Sequence, residues 1–161
     1  MRSEASIEIQ GPIDEIFRIT TEDVAAWSRT VIEDKVIEEH PGVVGTKFHV
    51  VTQENDQRME FEGVVTRFEP PLAHGSFLTG KLFDIDVAYL FEELSPDQTR
   101  VHQISEVHGK GWFRLLLKVV KFFAADAGNG AALEELRRLK SYCERQPSEK
   151  GEVSSSAHDS E

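Results

Sequence analysis

Residues 109–128, GKGWFRLLLKVVKFFAADAG, carry the strongest helical pattern in the chain. Three cations, Arg114, Lys118 and Lys121, return every three or four residues and share one stripe of such a helix. A second segment, residues 131–146, AALEELRRLKSYCERQ, repeats the apolar pattern. The two segments predict one long or once-interrupted helix that the rest of the chain holds. The apolar face of the first segment follows the i, i+3, i+4, i+7 spacing and comprises Trp112, Leu115, Leu116, Val119, Val120 and Phe123.

Upstream of this helix, short apolar-polar alternations are separated by turn residues. A strand at residues 6–10 precedes two short helices, at 12–20 and 21–27, which must dock on an apolar surface to be stable. About six strands joined by short turns follow, and they predict an antiparallel meander. Gly63 lies inside one of these strands and indicates a bulge. Because each strand has one apolar face, the C-terminal helix must cover that face, and a curved sheet leaves a space beneath it for a ligand.

The junction Gly128-Asn129-Gly130 interrupts the helical pattern. Each glycine costs about 1 kcal/mol relative to alanine in a helix interior. We therefore expect the helix to break here, with Asn129 capping its second half. The alternative is a kink that opens the mouth of the cavity.

Length and composition limit the kinds of protein that this chain can be. The 161 residues suit one domain, which we assign to residues 1–145, with an acidic, serine-rich and disordered tail at 146–161. The formal net charge of -11 argues against a nucleic-acid partner. A single cysteine, Cys143, falls on the helical pattern and favours a structural thiol. Neither a signal peptide nor a spanning run of about 18 apolar residues is visible, so a cytoplasmic protein without stable membrane insertion is expected.

Several short motifs follow one another in a characteristic order: IEIQGPIDEIFRIT, Trp27, PGVVGTKF, VVTRFEPP, YLFEEL, TRV and LEELRRLKSYCE. Over about residues 5–145 this order resembles the START-like helix-grip superfamily, and within it the polyketide cyclase/dehydrase-type branch, or SRPBCC proteins. The resemblance implies an α+β fold in which about seven antiparallel strands wrap around a long C-terminal helix. It also implies an internal cavity for apolar ligands, but no shared catalytic motif.

Motifs for metal binding and nucleophilic catalysis are missing from the sequence. The six histidines lack metal-ligand spacing, and no G-x-S-x-G, phosphate-loop or Rossmann pattern is present. We therefore predict neither a metal nor a cofactor. His102 and His108 share a strand face with charged side chains, which favours exposure. Asp84 and Asp86 have paired-carboxylate spacing, but they oppose apolar neighbours and indicate a solvated sheet face.

The candidate site consists of residues predicted to face the helix. Tyr89 follows the apolar face of its strand, and Gln103 and Ser105 follow that of the last strand. Buried polar side chains need partners, so these three either orient a ligand or bond to one another. The candidate ligand-binding residues are Phe48, Met59, Phe61, Tyr89, Gln103, Ser105, Leu116, Val120 and Phe123.

Three functions fit these patterns. The first is a carrier or sensor that holds one small hydrophobic molecule, such as a lipid, a polyketide or an aromatic compound. The second is a cyclase/dehydratase-type enzyme in which Tyr89 or a histidine shuttles protons. The third is an interaction protein whose helix docks on a partner or pairs as a homodimer, the alternative being a monomer. The stripe of Arg114, Lys118 and Lys121 either meets anionic lipid or forms a solvated outer face.

Overall fold

The computed structural model describes residues 1–123 and 127–146. The predicted disordered tail lies outside these residues apart from Gln146, and so do the side chains of Val120 and Phe123. In chain order the elements are β1 Arg2–Gln10, α1 Ile13–Glu22, α2 Val24–Trp27, β2 Val31–Glu38, β3 Lys47–Glu54, β4 Gln57–Glu69, β5 Ala73–Gly80, β6 Phe83–Ser95, β7 Gln98–Gly109, α3 Gly111–Phe123 and α4 Ala127–Arg145.

The strands form one antiparallel sheet in the order β1-β7-β6-β5-β4-β3-β2. Strands β2 to β7 are a meander, and β1 returns to pair with β7. Two short helices, α1 and α2, follow β1. Helix α4, the last element of the chain, packs against β1. The prediction of a helix-grip fold with a seven-stranded curved sheet is therefore confirmed.

The hydrophobic core occupies one half of the concave face. It is built by α1, α4 and the strands at the β1 edge of the sheet. The Phe17 ring of α1 meets the Phe91 ring of β6 with centroids 5.1 Å apart. Side chains that are completely or almost completely buried here include Ile9, Ile16, Ile19, Leu136 and Leu139. This half is filled, and two cavities lie outside it, one toward the β2 edge and one at the N-terminal end of α4.

Helix α4, rather than α3, covers the sheet. Its apolar stripe recurs at i, i+4, i+7 and i+11 and is buried: Ala132, Leu136, Leu139 and Cys143. The predicted break at Gly128-Asn129-Gly130 is wrong, because all three residues lie inside the first turn of α4. Asn129 does not cap a helix; its Oδ1 accepts a hydrogen bond from the Glu4 N–H at 2.9 Å. Asn129, which the sequence pattern predicted to be a helix cap, therefore makes a contact with β1 instead.

Gly63 has a different role from the one predicted. The pairing of β3 with β4 continues through Phe48 and Gly63 without a shift, so the predicted bulge at Gly63 is wrong. A bulge lies instead between Val65 and Arg67. Gly63 is needed because the Phe48 ring lies directly over it, where a Cβ atom would overlap the ring.

Candidate functional site

A cavity of about 240 Å³ lies between the concave face of the sheet and the helices α1 and α2. It opens along β2, where Asp34 and Val36 line it and remain exposed. Its lining is mostly apolar, which favours an apolar occupant. The apolar wall consists of Val24, Val31, Val36, Val43, Phe48, Val50, Val65, Leu78 and Val87.

Some polar groups in this wall already have partners. Thr20 and Thr21 donate their hydroxyls to carbonyl oxygens one turn earlier in α1, at 2.7 and 3.0 Å. The Thr46 hydroxyl accepts a hydrogen bond from the His40 N–H at 3.0 Å. Among the described residues, the lining side chains left without a hydrogen-bond partner are Asp34, His74, Ser76 and Tyr89.

Three polar side chains form a row across the middle of the sheet. His74 on β5 is directly opposite Tyr89 on β6, and Tyr89 is directly opposite Gln103 on β7. Residues paired in this way share one face, with Cβ atoms about 4.5–5.5 Å apart. We call His74, Tyr89 and Gln103 the polar row. It runs from the first cavity into a second one, so polar groups of a bound molecule have donors and acceptors along this line.

The polar row is uncharged at neutral pH. Burial raises the pKa of the Tyr89 phenol, and the nearby Glu135 carboxylate raises it further. Burial lowers the pKa of the His74 imidazole. Burial also raises the pKa of Asp34, although its exposure at the rim limits that effect. The phenol is therefore a hydrogen-bond donor and the imidazole a neutral donor and acceptor.

A second cavity, of about 490 Å³, lies between the N-terminal end of α4 and the strands β1, β6 and β7. Gln103 and Ser105 line it, and Gln103 Oε1 is buried without a partner among the described residues. At the rim, Arg29 pairs with Glu54 and donates its backbone N–H to Glu135 at 3.2 Å. Because Gln103 of this cavity is directly opposite Tyr89 of the first, the two cavities adjoin across this pair.

Four of the nine predicted site residues line these cavities. Phe48 and Tyr89 line the first, and Gln103 and Ser105 line the second. Their position on the concave face follows from the period-two pattern of the strands. Contact with a ligand remains a prediction for each of them.

The other predicted residues lie elsewhere. Phe61 is buried beneath Phe83, with ring centroids 5.5 Å apart, and lines neither cavity. Met59 is half-buried on the same strand and also lines neither. Leu116 is exposed on α3, because that helix does not lie across the sheet. The side chains of Val120 and Phe123 fall outside the described part of the chain.

Among the polar residues that line the first cavity without a hydrogen-bond partner, sequence reasoning missed three. His74, Ser76 and Leu78 are at every second position of β5. The period-two pattern therefore predicts that all three share one face of the sheet. Asp34 was not accessible to such reasoning. A register shift in β2 between Val31 and Glu33 places Asp34 on the cavity side of the strand. No pattern of residue types in the sequence predicts this shift.

Within 1–123 and 127–146, no group of three or more His, Cys, Asp or Glu side chains is placed to hold a metal ion. No helix in that part of the chain is long and apolar enough to cross a membrane. Cys143 is buried in the core, and burial, followed by the Glu15 carboxylate, raises the pKa of its thiol to about 12. Such a thiol is unreactive, in keeping with a structural role.

Solved structures with this fold include proteins of several kinds. The Zhui aromatase/cyclase of a Streptomyces species has a TM-score of 0.72 at 11% identity, over 95% of this chain and 99% of its own. A Thermus thermophilus protein, TTHA0849, has a TM-score of 0.71 at 12% identity, over 89% and 97% of the two chains. A START superfamily protein of Mycobacterium smegmatis has a TM-score of 0.70 at 15% identity, with the same coverage.

These likenesses establish the class of fold. Identities this low show that the chain has the START-like helix-grip fold of those proteins, and nothing narrower. No protein-family model and no curated protein sequence matches the chain. The activity must therefore be argued from the cavities themselves.

Replacing His74 by glutamine should make the free energy of unfolding less sensitive to acid. Because the pKa of His74 is lower in the folded state, the unfolded chain takes up the proton first. The wild type therefore loses stability relative to His74→Gln as the pH falls through about 6.5, by about 1.4 kcal/mol for each unit of pKa difference. Urea titrations between about pH 8 and pH 5 measure this difference. His108→Gln, on the exposed face, is the matched control, and equal pH slopes for wild type and His74→Gln would contradict the prediction.

Proposed function

We propose that the protein binds one small apolar molecule, carrying at least one polar group, between the concave face of the sheet and its helices. The observation that carries this proposal is that the uncharged polar row begins with His74 and Tyr89 in the apolar cavity that opens along β2 and continues to Gln103 in the second cavity. Apolar walls supply the affinity, because a ligand buries its surface there. The polar row supplies orientation, because Gln103 Oε1 is buried without a partner among the described residues.

The cavity volumes limit the size of the ligand. Sites for drug-sized ligands measure about 300–1,000 Å³. At about 240 Å³ the first cavity suits a molecule of one or two rings, or part of an acyl chain. A longer ligand would pass the polar row and enter the adjoining cavity of about 490 Å³. A lipid or a polyketide chain would thus occupy both.

A substitution that fills the first cavity tests the proposal. Val87 lines the cavity, whereas Val64 lies on the opposite face of the sheet, so Val87→Phe and Val64→Phe are a matched pair. The probe is N-phenyl-1-naphthylamine, a neutral fluorophore, titrated into the full chain. We expect Val87→Phe to weaken binding of the probe by about tenfold or more. The added ring would fill space that the probe occupies, and burial of an apolar group of this size contributes about 1.5–3 kcal/mol. Val64→Phe should bind as the wild type does.

Several outcomes would count against ligand binding in the cavity. One is failure of the wild-type chain to bind the probe; another is equal binding by both valine variants. Native mass spectrometry of the purified chain provides an independent readout, because a co-purified apolar molecule should be present in the wild type and lost from Val87→Phe. Unfolding curves establish that both variants are folded before the titrations are compared.

A second candidate function is a cyclase or dehydratase reaction in the same cavity. The pairing of a neutral imidazole with a protonated phenol favours it, since His74 can accept a proton while Tyr89 donates a hydrogen bond to a developing oxyanion. The likeness to an aromatase/cyclase is compatible with such chemistry. The test is turnover of a poly-β-keto thioester. Tyr89→Phe and His74→Gln should abolish turnover while probe binding persists, and unchanged turnover in both variants would exclude the role.

A further inference from the structure

Helix α3 presents an apolar face that the described part of the chain does not cover. Trp112, Leu115 and Leu116 keep 71%, 68% and 41% of their surface exposed. The helix is nevertheless fixed at its N-terminal end, where the Phe113 ring stacks on Phe83 with centroids 5.4 Å apart. The exposed residues are thus held on the body of the protein by an aromatic contact.

Cations accompany this face in a chain that is otherwise acidic. Residues 110–123 contain four cations and no Asp or Glu, namely Lys110, Arg114, Lys118 and Lys121, whereas the whole chain carries a net charge of -11. Lys110 forms an ion pair with Asp84, in which Nζ lies 2.6 Å from Oδ1. Arg114 and Lys118 are exposed and pair with no carboxylate of the described residues.

The turn before β6 extends the same surface. The Lys110 N–H donates to the Leu82 carbonyl at 2.8 Å, which places the β5–β6 turn beside the start of α3. Leu82 and Lys81 in this turn are both exposed. We call the combined surface the α3 patch; its members are Lys81, Leu82, Trp112, Arg114, Leu115, Leu116 and Lys118.

We propose that the α3 patch docks the protein on the surface of an anionic lipid bilayer. Tryptophan and leucine beside arginine and lysine are the composition of a helix that lies in a membrane interface. The cationic side chains can reach the headgroups while their alkyl stems stay on the apolar face. Anionic headgroups attract these cations and repel the acidic remainder of the chain, so charge also sets the orientation.

Charge disfavours a second copy of the chain on the α3 patch, and the apolar side chains disfavour an acidic protein. A second copy docked through the same helix would bring the two cationic stripes together. An acidic protein would match the cations, but three large, exposed apolar side chains on one helix suit the lipid interface better. Docking does not depend on the proposed ligand. It would nevertheless place the bilayer near the second cavity, because Ile85, which lines that cavity, follows Phe83 on the same face of β6.

Tryptophan fluorescence of the full chain tests the docking. The chain has two tryptophans, and Trp27 is already buried, so a blue shift on adding vesicles reports on Trp112. We expect a blue shift and co-sedimentation with vesicles of phosphatidylglycerol and phosphatidylcholine in equal parts, and about tenfold weaker binding to phosphatidylcholine alone. Raising the salt from about 0.1 M to about 1 M should release the protein, because the screening length falls from about 10 Å to about 3 Å.

Two pairs of substitutions separate the apolar and the electrostatic contributions. Trp112→Ala with Leu115→Ala should weaken co-sedimentation by about tenfold or more. Arg114→Glu with Lys118→Glu should abolish the preference for phosphatidylglycerol. Ile37→Ala with Leu72→Ala is the matched control, because these side chains are 62% and 57% exposed outside the patch, and it should bind as the wild type does.

Three results would overturn the membrane proposal. The first is no co-sedimentation of the wild type with either kind of vesicle. The second is equal binding by the wild type and the Trp112/Leu115 double variant. The third is a wild-type dimer in sedimentation equilibrium that the double variant converts to a monomer without any vesicle binding, which would assign the patch to a second copy of the chain.

Discussion

Leu139→Ala should lower the free energy of unfolding by about 2–5 kcal/mol, the range for deleting a buried leucine side chain to its Cβ. Leu139 is 0% exposed, and it joins α4 to the core beneath β1 and α1. The cost has two parts, namely the lost transfer of apolar atoms from water and the cavity that remains. Because domains are stable by only about 5–15 kcal/mol, this one substitution removes a large share. Urea denaturation followed by circular dichroism measures the loss.

The adjacent residue supplies the control for Leu139. Arg138 is exposed on the same turn of α4, and Arg138→Ala should change the stability by no more than about 0.5 kcal/mol. A loss for Leu139→Ala as small as that of its control would mean that α4 does not pack on the sheet as described. The comparison therefore tests whether α4 is the helix that the sheet holds.

Gly63→Ala should destabilise the protein by about 1–3 kcal/mol through overpacking. The new Cβ atom would overlap the Phe48 ring, which lies across Gly63 on the neighbouring strand. We expect the ring to relieve the overlap by turning into the first cavity, whose wall it forms. Gly63→Ala should therefore also weaken binding of the naphthylamine probe, although the glycine itself does not line the cavity.

A double-mutant cycle identifies the cause of the Gly63 effect. Phe48→Leu shortens the side chain above Gly63 and should remove most of the penalty of Gly63→Ala, giving a favourable coupling of about 0.5–3 kcal/mol. Additive losses would show that the alanine disturbs the backbone instead of the ring. Val64→Ala, at the next position of β4 but on the opposite face, should show no coupling to Phe48→Leu.

The cavity combines apolar walls with few polar groups, and this balance bears on both proposed functions. A carrier needs reversible burial of an apolar molecule, which the opening along β2 permits. A cyclase additionally needs groups that move protons, and His74, Tyr89 and Asp34 are titratable side chains that line the first cavity. The two functions therefore share one site and differ in the role of His74 and Tyr89. Probe binding and turnover, measured on the same variants, separate them.

Periodicity in the sequence was sufficient to predict the strands, the helices and an antiparallel meander, whereas the helix-grip fold was predicted from the family resemblance. Alternating residues such as Phe83, Ile85, Val87 and Tyr89 define strands whose inward face is a local property of the chain. The i, i+3, i+4 pattern of residues 131–146 likewise predicted a helix with a buried stripe, and Leu136 and Leu139 are buried as expected. The position of Tyr89, Gln103 and Ser105 on the concave face follows from the same alternation.

Which helix covers the sheet, and which residues share a cavity, depend on tertiary contacts that the sequence pattern does not contain. The apolar pattern of α3 is as strong as that of α4, yet Trp112 is exposed and Leu139 is buried, because packing depends on what the rest of the chain leaves open. His74, Tyr89 and Gln103 are far apart in sequence and become neighbours through strand register alone. Register and helix docking arise from contacts between distant segments, whereas periodicity arises within each segment. Periodicity therefore predicts the elements and their faces, and the tertiary contacts determine the site.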